Sequence, residues 1–133
     1  VSAPADPRPP RRAVVVDDSP LQCAAWRRLL ERRYGERVAV ETYTDPREAV
    51  AALRPDIHIM LLDWEMPVLD GHAVLEEARA RGVNLKRVVI TSGHTADELH
   101  EQFDRSGCLA VIEKTEPEQQ AAFMMILDSI MRR

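Results

Sequence analysis

From Ala13 onward the chain alternates short β-branched runs with longer stretches of helical character. The apolar runs at 13–16 (Ala-Val-Val-Val), 38–42 (Val-Ala-Val-Glu-Thr), 57–62 (Ile-His-Ile-Met-Leu-Leu), 87–91 (Arg-Val-Val-Ile-Thr) and 109–112 (Leu-Ala-Val-Ile) have the length of strands. Several are apolar at consecutive positions, so both of their faces must be covered, as in a parallel sheet lying between helix layers. The intervening segments open with a recurring start signal. Ser19-Pro20-Leu21-Gln22 supplies a hydroxyl acceptor, a proline at the first helical position and a Gln at the third. Asp45-Pro46-Arg47-Glu48, Thr95-Ala96-Asp97-Glu98 and Thr115-Glu116-Pro117-Glu118 repeat the device, which satisfies N–H groups that have no partner in a first helical turn. Gly35, Gly82 and Gly107 fall where three of the helices should stop. The predicted order is β1 13–16, α1 20–33, β2 38–42, α2 46–53, β3 57–62, α3 72–81, β4 87–91, α4 96–105, β5 109–112 and α5 117–132. Five βα units in succession, each with a right-handed crossover covering a sheet face, predict a doubly wound α/β sandwich of three layers.

Composition narrows the class. With 133 residues, 45% apolar and 30% charged, the chain can bury one core without disulfides or metals and is no disordered segment. Charge-free stretches are too short to cross a bilayer, so no membrane association is expected. Residues 1–11 hold four prolines and no apolar period, and are read as a flexible Pro/Arg-rich lead or linker before a domain at 12–133. This opening lacks the apolar run of a secretory signal and an initiator Met, so the chain is expected to be processed or excised from something longer. Net charge is −4, and Arg8, Arg11 and Arg12 sit at the start, leaving the remainder more acidic still. Such a surface holds nucleic acid poorly, and no direct nucleic-acid binding is expected. Two cysteines, Cys23 and Cys108, are too few for a disulfide framework or zinc site, and a reduced cytoplasmic location is expected.

The chemistry collects at the carboxyl ends of the strands, where open α/β sheets bind ligands. There β1 runs into Asp17-Asp18, β3 into Asp63-Trp64-Glu65-Met66-Pro67, β4 into Thr91-Ser92-Gly93 and β5 through Glu113 into Lys114. In the flavodoxin-like strand order 2-1-3-4-5, one of the two common doubly wound orders, β1 and β3 are neighbours and β4 and β5 lie beside them. Three Asp carboxylates, a hydroxyl and an ammonium then face one small pocket. Carboxylates that close repel, an imbalance relieved by protonation or by a cation among them. Open, oxygen-only donors suit Mg²⁺, and a carboxylate beside a divalent ion and an ammonium is equipped to act as a nucleophile toward phosphorus. Lys114 and the Thr91 hydroxyl would complement phosphoryl oxygens.

Val-Val-Val-Asp-Asp-Ser-Pro, Leu-Leu-Asp-Trp-Glu-Met-Pro-Val-Leu-Asp-Gly, Val-Ile-Thr-Ser and Ile-Glu-Lys together resemble the receiver domain of bacterial two-component response regulators over about 13–132. Any one of these motifs is a weak signal; four in order at the ends of strands 1, 3, 4 and 5 are a strong one. The resemblance implies a flavodoxin-like (βα)5 fold and an Mg²⁺-dependent switch. Asp63 would accept a phosphoryl group from a histidine kinase or phosphotransfer protein. Asp18 would ligate Mg²⁺ directly, Asp17 largely through water, and Asp63 and the Glu65 backbone carbonyl would complete the protein ligands. Thr91, Lys114 and the N–H groups of Glu65 and Ser92 would hold phosphoryl oxygens, while Met66-Pro67 and Gly71 shape the loop before α3. By the same resemblance the protein would be no enzyme beyond its own phosphorylation and dephosphorylation.

The match has departures. Val111 stands where the family usually has Tyr or Phe, and Lys114-Thr115 replaces Lys-Pro. A cis bond without Pro would cost about 2.5–4 kcal/mol, so the β5–α5 loop is expected to be trans or differently bent. Ser92 replaces the commoner Ala, and Glu65 places an extra acid two residues past the acceptor. Two other readings stay open on the sequence. A haloacid-dehalogenase-like phosphatase also uses a strand-end Asp, an acid two residues later, a hydroxyl, a Lys and Mg²⁺, although its nucleophile should sit on the first strand. A phosphorylation-independent interaction module would merely retain the acidic pocket.

The remaining signals are read as structural. His58, His72, His94 and His100 show no metal-ligand spacing; His58 is expected to be satisfied within its strand and the others exposed. Trp64 is read as a packing residue or loop shield, and Trp26, Leu29 and Leu30 as the buried face of α1. Residues 121–127 of α5 are apolar right round, which fits either a wide core or a homodimer or target face formed by α4, β5 and α5.

Overall fold

The protein is described by a computed structural model over residues 9–64, 66, 71–92, 110–113 and 117–132. Helices begin where the start signals place them. Ser19 is extended and its Oγ accepts from the Gln22 N–H at 3.3 Å, with Pro20 at the first helical position of α1 (Pro20–Tyr34). Asp45 accepts from the Arg47 N–H at 2.9 Å ahead of Pro46 and α2 (Pro46–Ala52). α1 stops at Gly35, whose φ of 57° is open to a residue without Cβ and whose N–H reaches back to the Glu31 carbonyl. The predicted α4 (96–105), the caps at Thr95 and Thr115, and the stop at Gly107 lie outside the described residues.

Five parallel strands form one sheet in the order β2-β1-β3-β4-β5, with β1 Arg11–Val16, β2 Val38–Tyr43, β3 Ile57–Asp63, β4 Val88–Ser92 and β5 Ala110–Glu113. This is the doubly wound α/β architecture expected of the sequence. Alternate strand residues feed two cores. Val14, Val16, Met60, Leu62, Val88 and Ile90 pack with residues of α2 and α3 (Gly71–Ala80). On the opposite face Ala13, Val15, Ile59, Leu61 and Val89 pack with Cys23 and Leu30 of α1 and Leu127 and Ile130 of α5 (Pro117–Arg132). Of the expected α1 face, Leu30 is buried and Trp26 and Leu29 are half-buried against this core. In α5 Leu127, Ile130 and Met131 are buried, whereas Met125 is 72% exposed. Among the described residues no helix is long and apolar enough to cross a membrane.

Three details depart from the apolar pattern, each for a polar reason. β1 starts at Arg11, inside the stretch read as a lead, because Arg11 pairs with Val38 and Arg12 is held by three acceptors. Arg12 binds the Glu41 carboxylate, Asp56 Oδ1 at 2.9 Å and the Ala52 carbonyl at 2.7 Å, so a charged strand start is stabilised by groups far away in sequence. β4 starts at Val88 because Arg87 completes a short 3-10 turn capped by Asn84, whose Oδ1 accepts from the Lys86 N–H at 3.0 Å. In β3 the pairing with β1 jumps from Ile57 to Ile59, a bulge at His58. That imidazole donates from Nε2 to the Ile130 carbonyl of α5 at 2.6 Å, while Nδ1 accepts from Arg87 Nη1 at 3.1 Å. His58 is thus satisfied, as expected, but by α5 and the start of β4. α5 is fastened a second time by Asp128, which accepts from Tyr34 Oη and Arg33 Nε of α1, each at 2.8 Å.

Candidate functional site

The sheet order puts β1 and β3 side by side, and their register sets the site. Val16 pairs with Leu62, so Asp17, one residue past the end of β1, stands level with Asp63 at the end of β3. Asp63 in turn pairs with Thr91 of β4. Asp17, Asp63 and Thr91 are 1%, 2% and 2% exposed, whereas Asp18 is exposed, so the cluster is walled on the protein side and open at Asp18. Carboxylate oxygens of Asp17, Asp18 and Asp63 all lie within 4.8 Å of one another.

Local bonds fix these positions. Asp17 donates its N–H to the Tyr43 carbonyl at 3.1 Å, and its Oδ1 accepts from the Ser19 N–H at 3.0 Å, joining the acid to the start of α1. The Thr91 hydroxyl points back to the Leu62 carbonyl at 3.5 Å, and the Thr91 carbonyl accepts from the Trp64 N–H at 2.9 Å, tying β4 to the residue after Asp63. Gly71 closes the following loop by donating to the Trp64 carbonyl at 3.2 Å. A Cβ at position 71 would lie 2.5 Å from Trp64 Cε3 and 2.9 Å from Trp64 Cα, so only glycine fits beneath the indole. The indole also meets the His72 ring edge-on, with centroids 6.0 Å apart. The Cys23 thiol, 3.2 Å from the Asp17 carbonyl, is pushed up in pKa by burial and by the Asp17 charge, which keeps it a neutral packing group.

The structure therefore brings together four of the residues singled out in the sequence, Asp17, Asp18, Asp63 and Thr91. Lys114 and Glu65 lie outside the described residues, as do Pro67, Gly93 and Thr115. Sequence reasoning did not find the edge contact of His72 with Trp64, although a His one residue after the glycine of a helix start is the available signal. Hard oxygen donors at this spacing fit Mg²⁺ by ligand type and by charge.

A model of the response regulator receiver domain matches residues 13–125. The chain belongs to that family. As a receiver domain of two-component systems it is a signalling module. Among its relatives is the nitrate/nitrite response regulator protein NarP of Escherichia coli, 28% identical over 109 residues that cover 82% of this chain and 51% of that protein. A protein-glutamate methylesterase/protein-glutamine glutaminase of Bdellovibrio bacteriovorus is 31% identical over 77% of this chain and 29% of its own length. The receiver domain described here thus spans about half or less of these two relatives, and the methylesterase activity is that of the whole protein. Among solved structures, the receiver domain of sensor histidine kinase PA1611 from Pseudomonas aeruginosa, described with a magnesium ion coordinated in the active site cleft, superposes with a TM-score of 0.69. It is 23% identical over 93% of this chain and 99% of that one, a likeness of fold.

Proposed function

We propose that this receiver domain accepts a phosphoryl group on Asp63, with Mg²⁺ held by Asp17, Asp18, Asp63 and the backbone carbonyl of Glu65. The observation that carries the reading is the meeting of three carboxylates within 4.8 Å beside the buried Thr91. Bound there, Mg²⁺ neutralises the acidic cluster and the charge on the incoming phosphoryl oxygens. An Asp63 carboxylate oxygen attacks phosphorus of a phosphohistidine on a histidine kinase or phosphotransfer protein. The new P–O bond forms as the P–N bond breaks, and the imidazole leaves with the electron pair and takes up a proton. Thr91 and Lys114 hold the phosphoryl oxygens, and engaging them selects one of two arrangements of the domain, which controls a partner or output. A cytoplasmic location follows from the kinase as donor.

Incubation with Mg²⁺ and acetyl phosphate, read by mass spectrometry, tests this. One phosphoryl group per chain is expected on wild type and none on Asp63→Asn. Absence of labelling on wild type would favour an interaction module that works without phosphorylation. Repeated turnover of a phosphate ester would favour the phosphatase reading.

A further inference from the structure

The foot of the sheet, at the edge away from the acidic pocket, holds a second cluster of titratable and charged groups. Strict alternation along β3 would put His58 on the α2–α3 face with Met60 and Leu62. The bulge breaks that alternation, leaving Ile57 on the α2–α3 face and Ile59 on the other, and the imidazole reaches α5 instead. Arg11, two residues before Ala13, and Arg87, two before Val89, alternate onto the same α1–α5 face. Arg11 Nη1 lies 3.2 Å from His58 Nε2, and Arg87 Nη1 lies 3.1 Å from Nδ1 and 3.3 Å from the His58 carbonyl. The Ile130 carbonyl, 2.6 Å from Nε2, is among the last four of α5 and so lacks a partner within its own helix.

One neutral tautomer serves this arrangement: Nε2–H caps Ile130, and the Nδ1 lone pair accepts from Arg87. Protonation removes the lone pair and sets a third cation against two guanidiniums. A helix C-terminus alone would favour the imidazolium, but Arg11 and Arg87 already place positive charge there. The imidazole forms no ion pair with a carboxylate among the described residues. On α5 itself, Asp128 is turned to Arg33 and Tyr34 of α1, and Arg132 donates to the Asp128 carbonyl. Burial, with Arg87 and Arg11 adding to it, outweighs the Ile130 carbonyl and keeps the imidazole neutral to below the ordinary value of 6.5.

We infer that His58 is a proton-operated latch, which holds the last turn of α5 to the foot of β3 when neutral and releases it when protonated. Uptake of one proton at Nδ1 expels Arg87, the half-buried imidazolium turns out toward solvent, and the Ile130 carbonyl loses its cap. Asp63 lies five residues further along β3, about 16 Å away at about 3.3 Å per residue, so the latch acts on α5 without touching the phosphoacceptor.

The test is an NMR titration of the full chain from about pH 8 to about pH 5, the range in which imidazoles change charge. The His58 ring resonances are expected to titrate with a midpoint below 6.5, and the amides of Arg87, Val88 and Ser129 to Arg132 to shift with that same midpoint. Amide protection in the last turn of α5, corrected for the intrinsic pH dependence of exchange, should fall over the same step. His58→Gln keeps an N–H donor that does not titrate, so its last turn should stay protected across the range while acetyl phosphate labelling is unchanged. Arg11→Gln removes one repelling charge and should raise the His58 midpoint. The inference is overturned if ring and α5 amides titrate with different midpoints, if His58→Gln retains the step, or if the midpoint is indifferent to Arg11→Gln.

Discussion

Gly71 is conspicuous for what it leaves out. With only 2.5 Å available between a Cβ there and Trp64 Cε3, Gly71→Ala must displace the indole or the start of α3. A loss of about 1–3 kcal/mol is expected, read as a lower midpoint in thermal or urea unfolding. Glu65 makes a kinetic prediction from its place in the sequence: Glu65→Ala should change the hydrolysis rate of the phosphorylated form by altering how an attacking water is oriented. Equal half-lives for the two proteins would dispose of that role. The Asp17, Asp18, Asp63 and Thr91 set was legible in the sequence because each residue directly follows or ends an apolar run, and strand ends converge in a doubly wound sheet. The partners of Arg12, His58 and Asp128 were not legible. Those contacts join residues dozens of positions apart, and hydrophobic periodicity carries no information on which charged side chains will meet.

Ties between elements titrate, and their directions can be worked out. Burial drives the His58 pKa down, with the Ile130 carbonyl opposing and Arg87 and Arg11 adding to the fall. The unfolded chain therefore binds a proton at His58 more readily than the folded one, so stability rises with pH through the window below the ordinary value of 6.5. In urea titrations the wild type should lose stability as pH falls below that value, and His58→Gln should lack this part of the slope. Asp128 behaves differently in range though not in sign. Hydrogen bonds from Arg33 and Tyr34 hold its carboxyl down to about 2, so its contribution is complete above about 3.8 and disappears as pH falls toward 2. Asp128→Asn should unfold at a lower temperature than wild type at neutral pH, with the two midpoints converging near pH 2. Element order followed from the caps and from the consecutive apolar runs, whereas the strand order rested on its being one of the two common doubly wound orders. The starts of β1 and β4 did not, because Arg11, Arg12 and Arg87 are placed by hydrogen bonds and ion pairs to other segments.

Taken as one body, the domain has an acidic pocket at the carboxyl edge of its sheet and two helices, α1 and α5, locked together across the opposite core. The family usually relays phosphorylation through an aromatic at the position of Val111, which a branched aliphatic cannot imitate. The relay should then pass chiefly through the β4–α4 connection, 92–95. Comparing chemical shifts with and without Mg²⁺ and beryllofluoride checks this, and changes confined to β5 would contradict it. The wedging of Trp64 between Gly71 and His72 has a practical corollary. The chain has two tryptophans, and Trp26 sits on α1 while Trp64 directly follows Asp63. A Trp26→Phe protein would leave a single tryptophan, beside the acidic cluster, so the tryptophan emission of the unlabelled molecule becomes a continuous optical readout of events there.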